Sequence, residues 1–88
     1  MRYRVEIKAR ALRALSRILP PARNRIERRI DALADEPRPA GVKKVQGTVY
    51  YRLRSGEYRV VYRIKDDVLV VLVVRVGHRK DVYRKLED

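Results

Sequence analysis

The chain has 88 residues, with 23 lysines and arginines against 11 aspartates and glutamates, which gives a formal net charge of +12. This length predicts a single domain over residues 1–88. The absence of cysteine excludes disulfides and thiolate chemistry, and a single histidine makes a zinc site untenable. The charge favours a polyanionic partner, such as RNA, DNA, an anionic lipid or an acidic protein, over a merely soluble arginine-rich surface.

The sequence carries no pattern typical of export or membrane insertion. The residues after Met1 alternate apolar and charged side chains instead of forming an apolar segment, so we expect no signal peptide. The apolar run Val68–Val74 is too short to cross a bilayer. We therefore expect a cytoplasmic protein without a membrane partner.

The first half of the chain predicts one strand followed by a helical hairpin. Apolar and charged residues alternate over Tyr3–Lys8, which is typical of a half-buried strand. Helical spacing follows, interrupted at Pro20-Pro21 and ended by Pro37 and Pro39. The apolar positions expected to face a sheet are Leu12, Leu15, Ile18 and Leu19 in the first helix, and Ala22, Ile26, Ile30 and Leu33 in the second.

The second half predicts an antiparallel meander. Val42–Gly47 fits a loop or a short edge strand. The three further strands are expected at Val49–Arg54, Tyr58–Ile64 and Val68–Val74, with turns at Ser55-Gly56 and Asp66-Asp67 and a tail or helix over His78–Asp88. The predicted fold is α+β, in the order β-α-α-β-β-β plus a tail.

The first hairpin is expected to gather arginines on one face. A turn at Ser55-Gly56 would place Arg52 opposite Arg59 and Arg54 opposite Glu57. Like charges directly opposite destabilise a sheet, so this pair either binds an anion or extends into solvent. The residues predicted on this face are Tyr50, Arg52, Arg54, Arg59 and Arg63, and those on the other are Val49, Tyr51, Leu53, Val60, Tyr62 and Ile64.

The tail adds side chains that are able to meet this arginine face. Tyr83 follows Arg79 by four residues, so on a helical turn the two would point the same way. Tyr83 either joins the site or packs the tail onto the sheet. His78 is either a strand-end histidine or a catalytic one.

The segments Tyr50–Arg54, Gly56–Tyr62 and Val76–Tyr83, with the helical hairpin before them, resemble the RelE/ParE toxin superfamily, and its RelE branch in particular. The resemblance implies a RelE-like toxin domain that cuts messenger RNA in the ribosomal A site without a metal or other cofactor. It assigns the catalytic set to Arg52, Arg59, Arg79 and Tyr83. Two positions depart from the best-studied branch: Arg52 replaces a lysine, and Tyr50 replaces another.

Metal-free RNA cleavage needs the 2′-hydroxyl to attack phosphorus, charge stabilisation on the phosphate, and a proton for the leaving 5′-oxygen. Arginines suit the second task, because they stay charged and present forked donors to phosphate oxygens. The candidate proton carriers are Tyr83, His78 and Tyr50. The further candidates for binding RNA phosphates are Arg54, Arg63, Lys43 and Lys44.

Three functions therefore remain after the sequence is considered alone. The first is a type II toxin that acts as a ribosome-dependent mRNA endonuclease, with the ribosome, mRNA and a cognate acidic antitoxin as partners. The second is a ParE-like inhibitor of DNA gyrase without nuclease activity. The third is a nucleic-acid-binding module without toxicity.

Overall fold

The computed structural model describes residues 2–78 and 80–88. In chain order the elements are β1 (Arg4–Ile7), α1 (Ala9–Ser16), α2 (Ala22–Ala32), β2 (Lys43–Lys44), β3 (Tyr50–Ser55), β4 (Tyr58–Lys65), β5 (Val70–Gly77) and a short 3-10 helix (Lys80–Tyr83). The strands form one sheet in the order β1-β5-β4-β3-β2, in which β1 runs parallel to β5 and the other neighbours are antiparallel. The predicted α+β fold is confirmed, and of the two options for Val42–Gly47 the edge strand is correct.

Both helices pack against one side of the sheet, which we call the helix face. Ile26 and Ile30 of α2 are almost fully buried there, against Leu53, Val60 and Tyr62 of the hairpin. The hydroxyl of Tyr62 donates a hydrogen bond to the carbonyl of Pro37 at 2.7 Å, so this polar group is satisfied inside the core. The helix face therefore holds the main apolar core.

The first helix differs from the prediction. It ends at Ser16, and the stripe that it and the following turn bury is Ala11, Leu15 and Ile18. Leu12 and Leu19 are 53% and 80% exposed, so their predicted place in the core was wrong. The spacing 11, 15, 18 is itself helical, but the small side chain of Ala11 is a weaker hydrophobic signal than that of its neighbour Leu12.

Among the described residues, neither helix has the length and apolar character needed to span a membrane.

The other side of the sheet, which we call the tail face, is covered in part by residues 80–88. Val82 is buried there and packs on a cluster formed by Tyr50, Val61, Val70, Leu72 and Val74. Gly77 permits this approach, because a Cβ at that position would overlap the side chain of Val82. The buried guanidinium of Arg75 donates to the carbonyl of Lys85 at 3.0 Å. These contacts hold the tail against the sheet.

The predicted strands Val49–Arg54 and Val68–Val74 both begin too early in the chain. The last strand spans Val70–Gly77, not Val68–Val74, because the preceding turn extends to Leu69, whose φ is +55°. Val68 is accordingly 59% exposed. Val49 precedes β3 and is 51% exposed, so it does not join the helix-face core.

Candidate active site

The hairpin turn decides which arginines face each other. The turn residues are Gly56 and Glu57, with Gly56 at φ +59°, a conformation that favours glycine in tight hairpins. Arg54 therefore lies opposite Arg59, and Arg52 lies opposite Val61. The predicted pairs Arg52–Arg59 and Arg54–Glu57 were wrong by a shift of two residues. Because side chains alternate with a period of two, this shift leaves every arginine on its predicted face.

These arginines line an open cleft of about 430 Å³ on the tail face. The residues around it are Lys44, Val45, Gln46, Arg52, Arg54, Arg59 and Tyr83. The Arg59 guanidinium carbon lies 5.7 Å from the centre of the Tyr83 ring, a cation–π distance that ties the tail to β4. A guanidinium of α2, that of Arg29, donates to the backbone carbonyl of Arg54 and so fixes the end of β3.

The cleft is electropositive. No carboxylate whose side chain the structure describes forms an ion pair with Arg52, Arg54 or Arg59. Lys44 of β2 also lines the cleft. Such a set of converging donors is suited to an anion with several oxygens, such as a phosphate. Lys43, the other lysine of β2, is exposed and does not line the cleft.

Arg63 and Tyr50 lie on the tail face outside the cleft, opposite each other on β4 and β3. The Tyr50 hydroxyl donates to Oδ1 of Asp88 at 2.7 Å, and Arg63 donates to Oδ2 at the same distance. Burial and the hydrogen bond to Asp88 raise the pKa of Tyr50 to about 12. No local pattern in the sequence indicates this role for Asp88, because its position depends on how the tail docks.

His78 sits on the far side of the arginine pair. Its Nε2 lies 3.4 Å from Oε2 of Glu57, and its ring centre lies 5.2 Å from that of Tyr58. A second recess of about 330 Å³ joins His78 and Glu57 to Arg54 and Arg59. Glu57, expected to pair with Arg54, faces this histidine instead.

Arg79, assigned to the catalytic set by resemblance, lies outside the described residues. Gln46 also lines the cleft, although the sequence analysis assigned it no role. Its position shortly after Lys43 and Lys44, two candidates for phosphate binding, was the feature that could have indicated it. Within residues 2–78 and 80–88, no three His, Asp or Glu side chains are grouped so that they could hold a metal ion.

Comparison with known proteins places this architecture in a family. Residues 5–83 match the model of the family described as the ParE toxin of the type II toxin–antitoxin system parDE. Toxin RelG of Mycobacterium tuberculosis is 42% identical, over 49% of this chain and 47% of its own length. The mRNA interferase toxin RelE of Escherichia coli is 29% identical, over 91% of this chain and 86% of its own.

A solved structure extends the similarity to the whole fold. The archaeal RelE–RelB complex from Pyrococcus horikoshii contains a chain that superposes with a TM-score of 0.80 at 31% identity, covering 91% of this chain and 98% of that one. The family match, the near full-length relatives and the common fold agree with the resemblance noted in the sequence. This chain therefore belongs to the RelE/ParE superfamily of type II toxin–antitoxin toxins, in its RelE-type branch.

Proposed function

We propose that this toxin is a metal-independent, ribosome-dependent endoribonuclease that holds the scissile phosphate of messenger RNA in the tail-face cleft. The observation that carries the proposal is the cross-strand pair Arg54–Arg59, with Arg52 beside it and Tyr83 above Arg59. Like charges across a strand pair cost stability. A phosphate bound between them removes that repulsion and gains charge-assisted hydrogen bonds.

The reaction assigns separate tasks to these groups. The 2′-oxygen attacks the adjacent phosphorus, the bond from phosphorus to the 5′-oxygen breaks, and a 2′,3′-cyclic phosphate forms. Arg52, Arg54 and Arg59 stabilise the negative charge that accumulates on the phosphate oxygens, while remaining protonated. The 2′-hydroxyl proton goes to a base, and the departing 5′-oxygen receives a proton from an acid.

Among the proton carriers, Tyr83 and His78 are better placed than Tyr50. Tyr83 lines the cleft, and His78 borders the recess that shares Arg54 and Arg59 with it. The Tyr50 hydroxyl already donates a hydrogen bond to Asp88, and its pKa is raised to about 12, so it holds its proton tightly. Arg79 stays in the catalytic set as a prediction from the resemblance alone.

The scarcity of proton carriers is the reason to expect dependence on the ribosome. An arginine-rich cleft stabilises charge but does not by itself align the 2′-hydroxyl with the phosphorus. Orientation of reacting groups contributes about 7–11 kcal/mol in favourable cases. We infer that the ribosome supplies this orientation by holding the message in a fixed conformation.

The test compares cleavage of one message on ribosomes and free in solution, with new RNA ends mapped by primer extension. We expect cleavage on ribosomes and little on naked RNA. Toxin dialysed against a chelator before the reaction should be as active as untreated toxin. Equal rates on both substrates would contradict ribosome dependence, and loss of activity after dialysis would contradict a metal-free reaction.

Gyrase inhibition is the second candidate, because the matching family model carries the ParE name. The cleft of arginines and a tyrosine argues for RNA, since a protein that only binds gyrase has no need of converging phosphate donors. A supercoiling assay separates the two. Inhibition of gyrase by this protein, together with intact message on ribosomes, would establish the second function and reject the first.

We also propose an acidic antitoxin partner for this toxin, by analogy with the Pyrococcus complex, in which RelE is bound to RelB. The net charge of +12 and the cations of the cleft, which form no ion pair with any carboxylate whose side chain the structure describes, favour acidic side chains on that partner. The exposed Leu12 and Leu19 offer apolar surface for an amphipathic segment. Copurification from the native host tests this: a toxin recovered alone, and harmless when overproduced, would contradict both the partner and the toxic activity.

A further inference from the structure

A second group of cationic and hydroxyl donors lies on the tail face, outside the cleft. The Tyr50 hydroxyl and the Arg63 guanidinium each donate to the carboxylate of Asp88 at 2.7 Å. The ammonium of Lys65 lies 3.7 Å from the same carboxylate. A forked guanidinium, an ammonium and a hydroxyl are also a donor set for phosphate oxygens.

The strands β3 and β4 carry all three donors of this group. Tyr50 is only 6% exposed and packs in the tail-face apolar cluster, and Arg63 is its partner in the β3–β4 register. Lys65 follows two residues later on β4, on the same face. The donors therefore stay in place when Asp88 leaves, whereas Asp88 belongs to a segment after the 3-10 helix that has no regular structure.

The group lies in line with the cleft. The Tyr50–Arg63 pair is four residues from the Arg54–Arg59 pair along β3, which corresponds to about 13 Å of strand at about 3.3 Å per residue. Arg52, which lines the cleft, lies between them. An RNA strand seated in the cleft and continuing along β3 would bring another backbone phosphate to Arg63.

We propose that Tyr50, Arg63 and Lys65 form a second phosphate subsite for the RNA backbone, which the carboxylate of Asp88 fills in the free protein. The inference rests on the proposed function, in that RNA occupies the neighbouring cleft. The ion pair is partly exposed, at 38% for Arg63 and 29% for Asp88, and such pairs are weak. RNA anchored in the cleft presents a further phosphate at high effective concentration, which competes with Asp88 for these donors.

The test measures binding of a short single-stranded RNA, 2′-O-methylated so that it resists cleavage, by fluorescence anisotropy over a salt series. Asp88→Asn keeps the shape of the side chain and removes its charge. We expect RNA affinity to rise several-fold, and the slope of log K against log salt to steepen by about 0.7, the value for one more phosphate contact on a single strand. Arg63→Ala should cancel this gain, and should cost more affinity in the Asp88→Asn protein than in the wild type.

Glu87→Gln is the matched control, because it removes the same charge from the exposed neighbour of Asp88. It should leave the slope unchanged. Equal gains from both variants with an unchanged slope, or an Arg63→Ala cost that is the same in both backgrounds, would overturn the subsite. Thermal melts establish that each variant is folded. These binding measurements do not depend on cleavage. The nuclease proposal is tested by message cleavage on ribosomes, so its failure can be distinguished from failure of the subsite.

Discussion

The two faces of the sheet use the same strands for different purposes. On β4, Val60 and Tyr62 point to the helix face, where both are fully buried in the main core. On either side of these two residues, Arg59 and Arg63 point to the tail face. The tail-face apolar cluster is smaller, and only Val61 from this strand joins it. Strand alternation thus lets one hairpin supply both the core and the cleft.

Because the core and the cleft lie on opposite faces, folding and activity should be separable by substitution. The helix face has close packing and satisfied polar groups, so changes there should lower stability. The tail-face cleft consists of cations without acidic partners among the side chains described, so changes there should lower activity.

The largest effect is expected from Arg59→Ala. Loss of one donor to a charged transition state lowers rates by about 10²- to 10³-fold, and removal of the charge opposite Arg54 should leave stability unchanged or slightly higher. Message cleavage on ribosomes and thermal melts measure the two quantities. Arg28→Ala, on the exposed side of α2, removes the same charge and should retain activity. A folded Arg59→Ala protein that cleaves like the wild type would show that the site is wrongly assigned.

The next effect is on stability alone. Ile30 is 1% exposed on the helix face, and truncation of such a residue to alanine costs about 3 kcal/mol through lost burial and the cavity left behind. We expect Ile30→Ala to lower the free energy of unfolding in urea by that amount, with a wild-type cleavage rate per folded molecule. A rate that fell while the protein remained fully folded would mean that the two faces are coupled.

The sequence predicts which face of the sheet a hairpin residue occupies, but not which residue lies opposite it. The faces of Tyr50, Arg52, Arg54, Arg59 and Arg63 were predictable, because a period of two survives an even shift in register. The register itself was not, since Ser55-Gly56 and Gly56-Glu57 are both plausible turns. The choice depends on which position needs the positive φ of Gly56.

Features that depend on contacts between residues far apart in the chain could not be predicted from local sequence patterns. The parallel pairing of β1 with β5 joins residues about 66 positions apart, as in Arg4 and Val70. Tail docking places Asp88 beside Tyr50, although nothing in the tail sequence indicates this contact. Leu12 has the spacing of a core residue, yet the sheet meets α1 through Ala11 and Leu15.

A smaller effect should come from the tail anchor. Val82 is buried against the sheet one residue before Tyr83. Val82→Ala should loosen the tail and misplace Tyr83, with a loss of cleavage of about tenfold, because small errors of position lower rates strongly. Hydrogen exchange of the tail amides measures the loosening. Unchanged cleavage with a loosened tail would show that Tyr83 is not needed in its docked position.

The smallest effect is expected in acid, at the edge of the helix face. Arg38 and the Tyr3 hydroxyl donate to Asp66, at 2.9 and 2.6 Å, and these hydrogen bonds hold the pKa of Asp66 below its ordinary value of 3.8. A carboxyl whose pKa is lower in the folded than in the unfolded state stabilises the fold above the unfolded pKa. That contribution is lost as the pH falls through the folded pKa.

We therefore expect the difference in melting temperature between the wild type and Asp66→Asn to be constant from neutral pH down to about pH 5, and to shrink below about pH 4. Asp67→Asn changes the same charge in the same turn and is the control. Cleavage at neutral pH should be unaffected in both variants, since the network lies away from the cleft. A difference that persisted unchanged into strong acid would show that the carboxylate form of Asp66 does not carry the stabilisation. Reduced cleavage in a folded Asp66→Asn protein would instead break the separation of the two faces, because it would link the helix-face edge to the phosphate site through the β3–β4 hairpin.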